Sequence, residues 1–315
     1  MLFRTELYLQ PTDYKIKHDQ LILLLGSCFS QNIGERLQNY KFKSISNPFG
    51  TIFHPIALGK LLNYVTQNEQ VHAEQLLLSQ GIYVHPDFHS SLGDIDQIKA
   101  LFNINNTISS IHHLLKDIKY LFITLGTTIG YRLKSNENIV ANCHKLPLDI
   151  FNKEDVSVSE CSKSLSLAIE QLLQINSQIK IIFTVSPVRH IKDGIIANAR
   201  SKAKLMSLAE NLEAQYEQVT YFPAYEIMMD DLRDYRYYEK DMIHPNDLAI
   251  DYIWEKFCTQ YFDENTIQIM QKIEKINRAV SHRPFNPSSK EHIAFLAKVE
   301  EDKINLMQMY PWIKL

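Results

Sequence analysis

Apolar positions along this chain follow two alternating patterns. Short, nearly continuous apolar runs at residues 21–25, 42–46, 119–125, 179–185 and 219–222 predict five strands, most of them buried on both faces. Between them the apolar residues recur at helical spacing: Ile33, Leu37 and Tyr40 over 30–40, and Ile56, Leu58, Leu61, Leu62 and Val65 over 55–65. The same spacing predicts helices over 73–78, 95–115, 156–173, 197–216 and 247–262. Residues 1–20, interrupted by Pro11, read as an irregular or edge segment. The polar, histidine-bearing stretch 81–93 reads as a surface loop, and 131–134 with 139–141 as a hairpin. Strands alternating with helices indicate an α/β fold, a mostly parallel five-stranded sheet covered by helices on both faces. Two further helical patterns, 266–280 and 290–309, predict a helical C-terminal extension. The expected division is therefore a domain over 1–262 and an extension over 263–315. The extension is expected to pack on the main domain or on a partner, which includes self-association through these helices.

Composition narrows the classes of function. With 33 basic and 36 acidic residues in a chain of 315, the electrostatic footprint of a nucleic-acid binder is missing. No apolar run approaches the length of a membrane span, and the first residues lack the pattern of a secretory leader. A cytoplasmic protein without a membrane partner is the expectation. The four cysteines, Cys28, Cys143, Cys161 and Cys258, are scattered without a CxxC pair, so free thiols are expected rather than a disulfide framework or a zinc site. His85 with His89, and His112 with His113, have suggestive spacing. They lack accompanying carboxylates in a motif and are read as solvated, and neither a metal nor a cofactor is expected.

Chemistry is expected where the strands end, because in an open parallel sheet the crevice lies outside their carboxyl ends. The run 21–25 stops at Gly26-Ser27-Cys28, which delivers two small nucleophile-capable side chains to the start of a helix. Unpaired N–H groups and the helix dipole there stabilise an anion. The other turns carry Asn47, Gly126 to Thr128, Ser186 with Arg189 and His190, and finally Asp241 and His244. Asp241 precedes His244 by three residues, short enough for one loop to present both and for the carboxylate to orient the ring. Arg189 and His190 are candidates for binding an anionic substrate group. The tyrosines at 235–238 either stack on a sugar or belong to the core. Asn142 and Cys143 either wall a pocket or, with His144, form a second Cys/His pair.

Gly26-Ser27-Cys28-Phe29, with Asp241-x-x-His244-Pro245 ahead of an amphipathic helix, resembles the GSCFA family, a branch of the SGNH, or GDSL-like, hydrolase superfamily. Asn47-Pro48-Phe49-Gly50-Thr51, Leu125-Gly126-Thr127, Ala141-Asn142-Cys143-His144-Lys145, Ser186-Pro187-Val188-Arg189-His190 and Asp231-Leu232-Arg233-Asp234-Tyr235 extend the resemblance over roughly residues 20–260. It implies a flavodoxin-like three-layer αβα sandwich and ester or acyl-group chemistry. The wider superfamily has Gly-Asp-Ser in its first block, so position-by-position carry-over places Cys28 at the nucleophile. Ser27 remains the rival. The third block, Gly-x-Asn in the superfamily, reads Gly126-Thr127-Thr128 here and lacks its amide donor, for which Asn142 or Asn47 would substitute. The backbone N–H groups of Cys28 and Gly50 would complete an oxyanion site.

The expected protein is thus an SGNH-like esterase or acyltransferase on a small-molecule or carbohydrate ester. Cys28 or Ser27 would attack, His244 would carry the proton and Asp241 would orient it. The alternative is a non-catalytic ligand-binding or assembly module on the same scaffold.

Overall fold

Five parallel strands form the centre of the molecule. The computed structural model describes residues 4–315, and the expectations for residues 1–3 lie outside the described residues. Strand β1 (Leu21–Gly26) leads into α1 (Cys28–Asn39), followed by β2 (Ser44–Ser46) and α2 (Pro55–Gln67). A short hairpin, β3 (Leu77–Ser79) and β4 (Ile82–Val84), precedes α3 (Gln97–Leu114) and β5 (Ile118–Leu125). Three antiparallel strands then follow, β6 (Ile129–Leu133), β7 (Asn138–Val140) and β8 (Phe151–Asp155). The chain continues through α4 (Val158–Ile175), β9 (Lys180–Val185), α5 (Ile195–Gln215) and β10 (Val219–Tyr221). It ends with the one-turn α6 (Ala224–Glu226), α7 (Asp247–Tyr261), α8 (Glu264–Ser281) and α9 (Lys290–Met309).

The sheet order is β2-β1-β5-β9-β10, all parallel, which is the flavodoxin-like doubly wound order. The winding reverses between β1 and β5, so a crevice opens where Gly26 and Leu125 end their strands. Alternation within each strand produces the three layers. Leu23, Leu25, Leu121, Ile123, Ile181 and Phe183 pack under α2 to α5, whereas Ile22, Leu24, Phe122 and Ile182 pack under α1 and α7. Both sets are buried, which is why these strands read as continuous apolar runs.

Two local expectations are corrected, and one strand was not expected. Residues 73–78 form a 3₁₀ turn at Ala73–Gln75 and then β3, whose Leu77 pairs with Val84, because so short a window cannot separate a helical period from an alternating one. The stretch 81–93 is not a solvated loop: it contains β4 and buries Phe88 and His85. Strand β8 escaped the pattern because Phe151 is its one apolar residue, and it is held by pairing to β6. The tail packs on the main domain. Ile269, Ile273, Ile276, Leu306 and Ile313 form its own cluster, and the Trp312 indole donates to His18 Nδ1 at 3.1 Å.

Two buried imidazoles make the fold sensitive to acid. His54 caps α2, its Nδ1 accepting from Ile56 N at 3.2 Å while Nε2 bonds the Thr128 carbonyl at 3.1 Å. Since Nδ1 must accept, the ring is the neutral Nε2–H tautomer, and a proton on Nδ1 would undo the cap. Burial holds both His54 and His85 down to about 4. Their unfolded value is about 6.5, so their stabilising contribution is complete above that pH and is lost as pH falls toward 4. Urea unfolding at pH 7 and pH 5 should show a loss of about 2 kcal/mol from His54 alone. His54→Asn, which keeps a capping acceptor without the titration, should reduce the pH dependence; an unchanged dependence would refute the assignment.

Candidate functional site at the strand ends

The turn after β1 is built by Gly26, Ser27 and Asn47. The Gly26 N–H donates to Asn47 Oδ1 at 2.9 Å, and Asn47 Nδ2 donates to the Ser27 carbonyl at 3.3 Å. Asn47 itself has φ 43°, and its carbonyl accepts the Gly50 N–H at 2.8 Å. Both expected oxyanion contributors are therefore committed elsewhere: the Asn47 amide clamps the turn, and the Gly50 N–H closes the next one. The physical reason is the tight chain reversal, whose closure uses the Asn47 side-chain amide and the Gly50 N–H.

Ser27 and Cys28 differ sharply in what they present. Ser27 is the N-cap of α1, accepting from Phe29 N at 3.2 Å, and its hydroxyl donates to Ser186 Oγ at 2.9 Å. At 2% exposed it is sealed off, so the expectation that it could serve as the attacking atom is corrected: it joins the β1 turn to the β9 turn. Cys28, the first residue of α1, is half-buried and reaches the surface. Its thiol pKa is raised: burial is the largest cause, the N–H groups of Cys28 and Phe29 and the Lys202 charge oppose it in part, and the Asp241 carboxylate adds to the rise. The start of α1 leaves the Cys28 N–H without a backbone carbonyl partner among the described residues, so it can donate to an oxyanion.

Asp241 and His244 form the pair the spacing anticipated. Asp241 Oδ2 accepts from His244 Nδ1 at 2.7 Å, and Oδ1 accepts the backbone N–H groups of Ile243 and His244 at 2.8 and 3.0 Å. The bonds from the His244 ring and these two N–H groups hold the carboxyl at about 2, so it is ionised at any working pH and Nδ1 carries the proton. The loop achieves this wrap by placing Met242 in the left-handed region, φ 59°. Arg189 braces it, its N–H donating to the Ile243 carbonyl at 3.1 Å and Nη1 to the Met242 carbonyl at 3.3 Å. Its guanidinium also lies over the rings of Tyr235 and Tyr238, at 5.8 and 5.7 Å. Of the tyrosine run, Tyr237 and Tyr238 pack on the core and Tyr235 is exposed.

The remaining candidates surround two clefts. His190, whose N–H donates to Asn198 Oδ1, leans on Phe53 with ring centres 4.9 Å apart, and its buried Nε2 has no partner among the described residues. Burial, followed by the Lys202 and His244 charges, lowers its pKa to about 4 and keeps it neutral. His190, Thr127, Asn142 and Cys143 share a cleft of about 430 Å³. Asn142 Oδ1 accepts the His144 N–H at 2.8 Å, and no described residue accepts from its Nδ2. His144 is buried and bonds the His85 carbonyl through Nε2, so Cys143 and His144 do not work as a pair. Thr127 Oγ1 is bonded to Ser201, and the Gly126 N–H donates to the Phe53 carbonyl, so neither is a free donor. On the other side Arg189, Tyr225, Met228, Leu232, Tyr235 and Tyr238 border a cleft of about 250 Å³. Cys28 and His244 are part of neither wall.

Lys202 was missed by sequence reasoning. Its ammonium, 1% exposed, donates to the carbonyls of Gly126 and Ser186 at 2.8 Å each, joining the ends of β5 and β9. A signal did exist: Lys202 sits on the inward stripe of α5 with Leu205, Ala209 and Leu212, where an apolar residue is expected.

The sequence profile of the GSCFA family matches residues 21–257, and that of the GSCFA domain protein, C-terminal domain, matches residues 273–315. No curated protein matches the chain. The first match spans the whole sheet together with the Cys28 turn and the Asp241–His244 loop, and so the chain belongs to the GSCFA family.

Proposed function

We propose that the protein is an SGNH-like esterase or acyltransferase acting on an acylated small molecule or carbohydrate. The observation that carries this reading is the Asp241–His244 pair: an ionised carboxylate 2.7 Å from Nδ1 fixes the tautomer that leaves Nε2 as a proton acceptor. The half-buried Cys28 at a helix start supplies the nucleophile. The Cys28 S–H proton passes to His244 Nε2, the sulfur bonds the acyl carbon, and the Cys28 N–H receives the developing oxyanion. The acyl–oxygen bond then breaks and His244 returns the proton to the leaving oxygen. Water or an acceptor hydroxyl attacks the resulting thioester, gives its proton to His244, and frees the sulfur, which takes that proton back. We propose a cytoplasmic setting; among the described residues no helix is long and apolar enough to cross a membrane.

The test is covalent capture. Incubation with p-nitrophenyl acetate followed by peptide mass spectrometry should place an acetyl group on Cys28, lost in Cys28→Ala and retained in Ser27→Ala. An adduct on Ser27, or none on either residue in the folded protein, would refute this assignment; the second result would favour the binding-module alternative.

A further inference from the structure

The smaller of the two clefts joins apolar walls to a cation that no acid neutralises. Two arginines close to it are paired: Arg233 with Asp230, and Arg236 with Asp234 at 2.9 Å. Arg189, in the same wall, has no carboxylate partner among the described residues. One guanidinium N–H, on Nη1, donates to the Met242 carbonyl at 3.3 Å, and the others have no acceptor among the described residues. Met228 and Leu232 are buried at the floor, whereas Ile195, Met229 and Tyr235 are exposed at the mouth. Both methionines belong to a π turn over Ile227–Asp231, a distortion that frequently marks functional sites. Exposed apolar side chains gathered round a concavity with one convergent polar group are the features of a small-molecule site.

We propose that this cleft binds a small organic carboxylate, one ring or a short chain carrying a single carboxyl group, with the carboxylate on the Arg189 guanidinium and the body against Tyr225, Met228 and Leu232. The planar guanidinium presents parallel N–H groups that match a carboxylate, and its position over the Tyr235 and Tyr238 rings, at 5.8 and 5.7 Å, limits the directions it can take. The volume of about 250 Å³ falls below the roughly 300–1,000 Å³ of sites for drug-sized ligands, so the occupant is small. One free cation suits one negative charge, and Asp234 in the same wall opposes a second, which favours a carboxylate over a phosphate dianion. His190, the neighbour expected to share anion binding, lines the larger cleft instead. The occupant also rests against the turn that carries the Asp241–His244 pair. Tyr238 bridges to Pro245, the Glu239 N–H donates to the His244 carbonyl at 2.7 Å, and the Asn246 N–H donates to the Tyr237 carbonyl at 2.9 Å. The site goes beyond the proposed reaction, since it requires neither Cys28 nor an ester.

The experiment is calorimetric titration of the full chain at pH 7 with 3-phenylpropionate and hexanoate, both of which should bind saturably. The uncharged 3-phenylpropanamide should bind about tenfold more weakly than the acid, the loss expected when a hydrogen-bonded charge is removed. Acetate, which lacks the apolar body, and phenyl phosphate, a dianion, should also bind more weakly than 3-phenylpropionate. In protein labelled with ¹³Cε-methionine, 3-phenylpropionate should move the Met228 and Met229 signals, which places it in this cleft. Arg189→Gln keeps a donor for the Met242 carbonyl and should bring the acid and the amide to nearly equal affinity. Should that variant not fold, Ile195→Glu adds a carboxylate at an exposed position of the mouth and should weaken 3-phenylpropionate about tenfold while sparing the amide. No saturable binding of either acid, an amide or a phenyl phosphate that binds as tightly, or unmoved Met228 and Met229 signals would each overturn the proposal. A folded Arg189→Gln or Ile195→Glu protein that keeps the wild-type preference for the acid would overturn it as well.

Discussion

Replacing His244 by alanine is expected to lower kcat/KM for short-chain p-nitrophenyl esters and thioesters by about 10²–10⁴-fold, the usual contribution of a positioned acid–base group. The loss should fall on kcat, since the imidazole acts on a proton in flight and not on the bound acyl group. Folding should be unaffected, because the His244 and Asp241 side chains are 47% and 46% exposed and their removal opens no cavity. Asp241→Ala should produce a smaller loss of the same kind, by freeing the ring to adopt the wrong tautomer and by removing the acceptor for the Ile243 and His244 N–H groups. Circular dichroism and steady-state assays on the purified variants check both statements. Unchanged turnover in His244→Ala would remove His244 from the mechanism and the proposed chemistry with it.

The second large effect is on stability. Gly26 has φ 135°, and a Cβ placed there would lie 2.3 Å from the Thr124 carbonyl oxygen and 2.7 Å from its nitrogen. These are backbone atoms of the neighbouring β5, which cannot move without breaking the pairing of Gly26 with Thr124. Gly26→Ala should therefore cost about 2–5 kcal/mol, combining a backbone conformation that side chains rarely adopt with a clash against a rigid strand. Urea denaturation monitored by tryptophan fluorescence measures it, and a loss below about 1 kcal/mol would show that β1 and β5 can separate locally. Alkylation of Cys28 should also change, because Gly26 aims the turn from which the thiol emerges.

Much of this was legible along the chain. The run Leu21-Ile22-Leu23-Leu24-Leu25 ends where the strand ends, at a glycine, and Asp241 and His244 meet as their spacing predicts, because a three-residue separation leaves a loop little choice. Helix α1 starts two residues before the predicted segment, at Cys28, because Ser27 caps it: the serine read as a rival nucleophile is a stop signal for the strand and a start signal for the helix. Asn47 and Gly50 looked like oxyanion donors for a similar reason. Their residue types suit that task and suit a tight turn equally well, and only the bonds to Gly26, Ser27 and Asn47 itself distinguish the two.

What the sequence by itself determined is the layer architecture and the set of turns at which polar residues gather, because both follow from local periodicity and from the backbone preferences of individual residues. Which of those residues is open to solvent, which is consumed by a neighbouring strand, and which strand ends the buried Lys202 joins were decided by tertiary structure. Ser27 meets Ser186, 159 positions away, and Lys202 bonds carbonyls 76 and 16 positions away. Separations of that size leave no periodic trace in one sequence, since their geometry exists only once β1, β5 and β9 lie side by side.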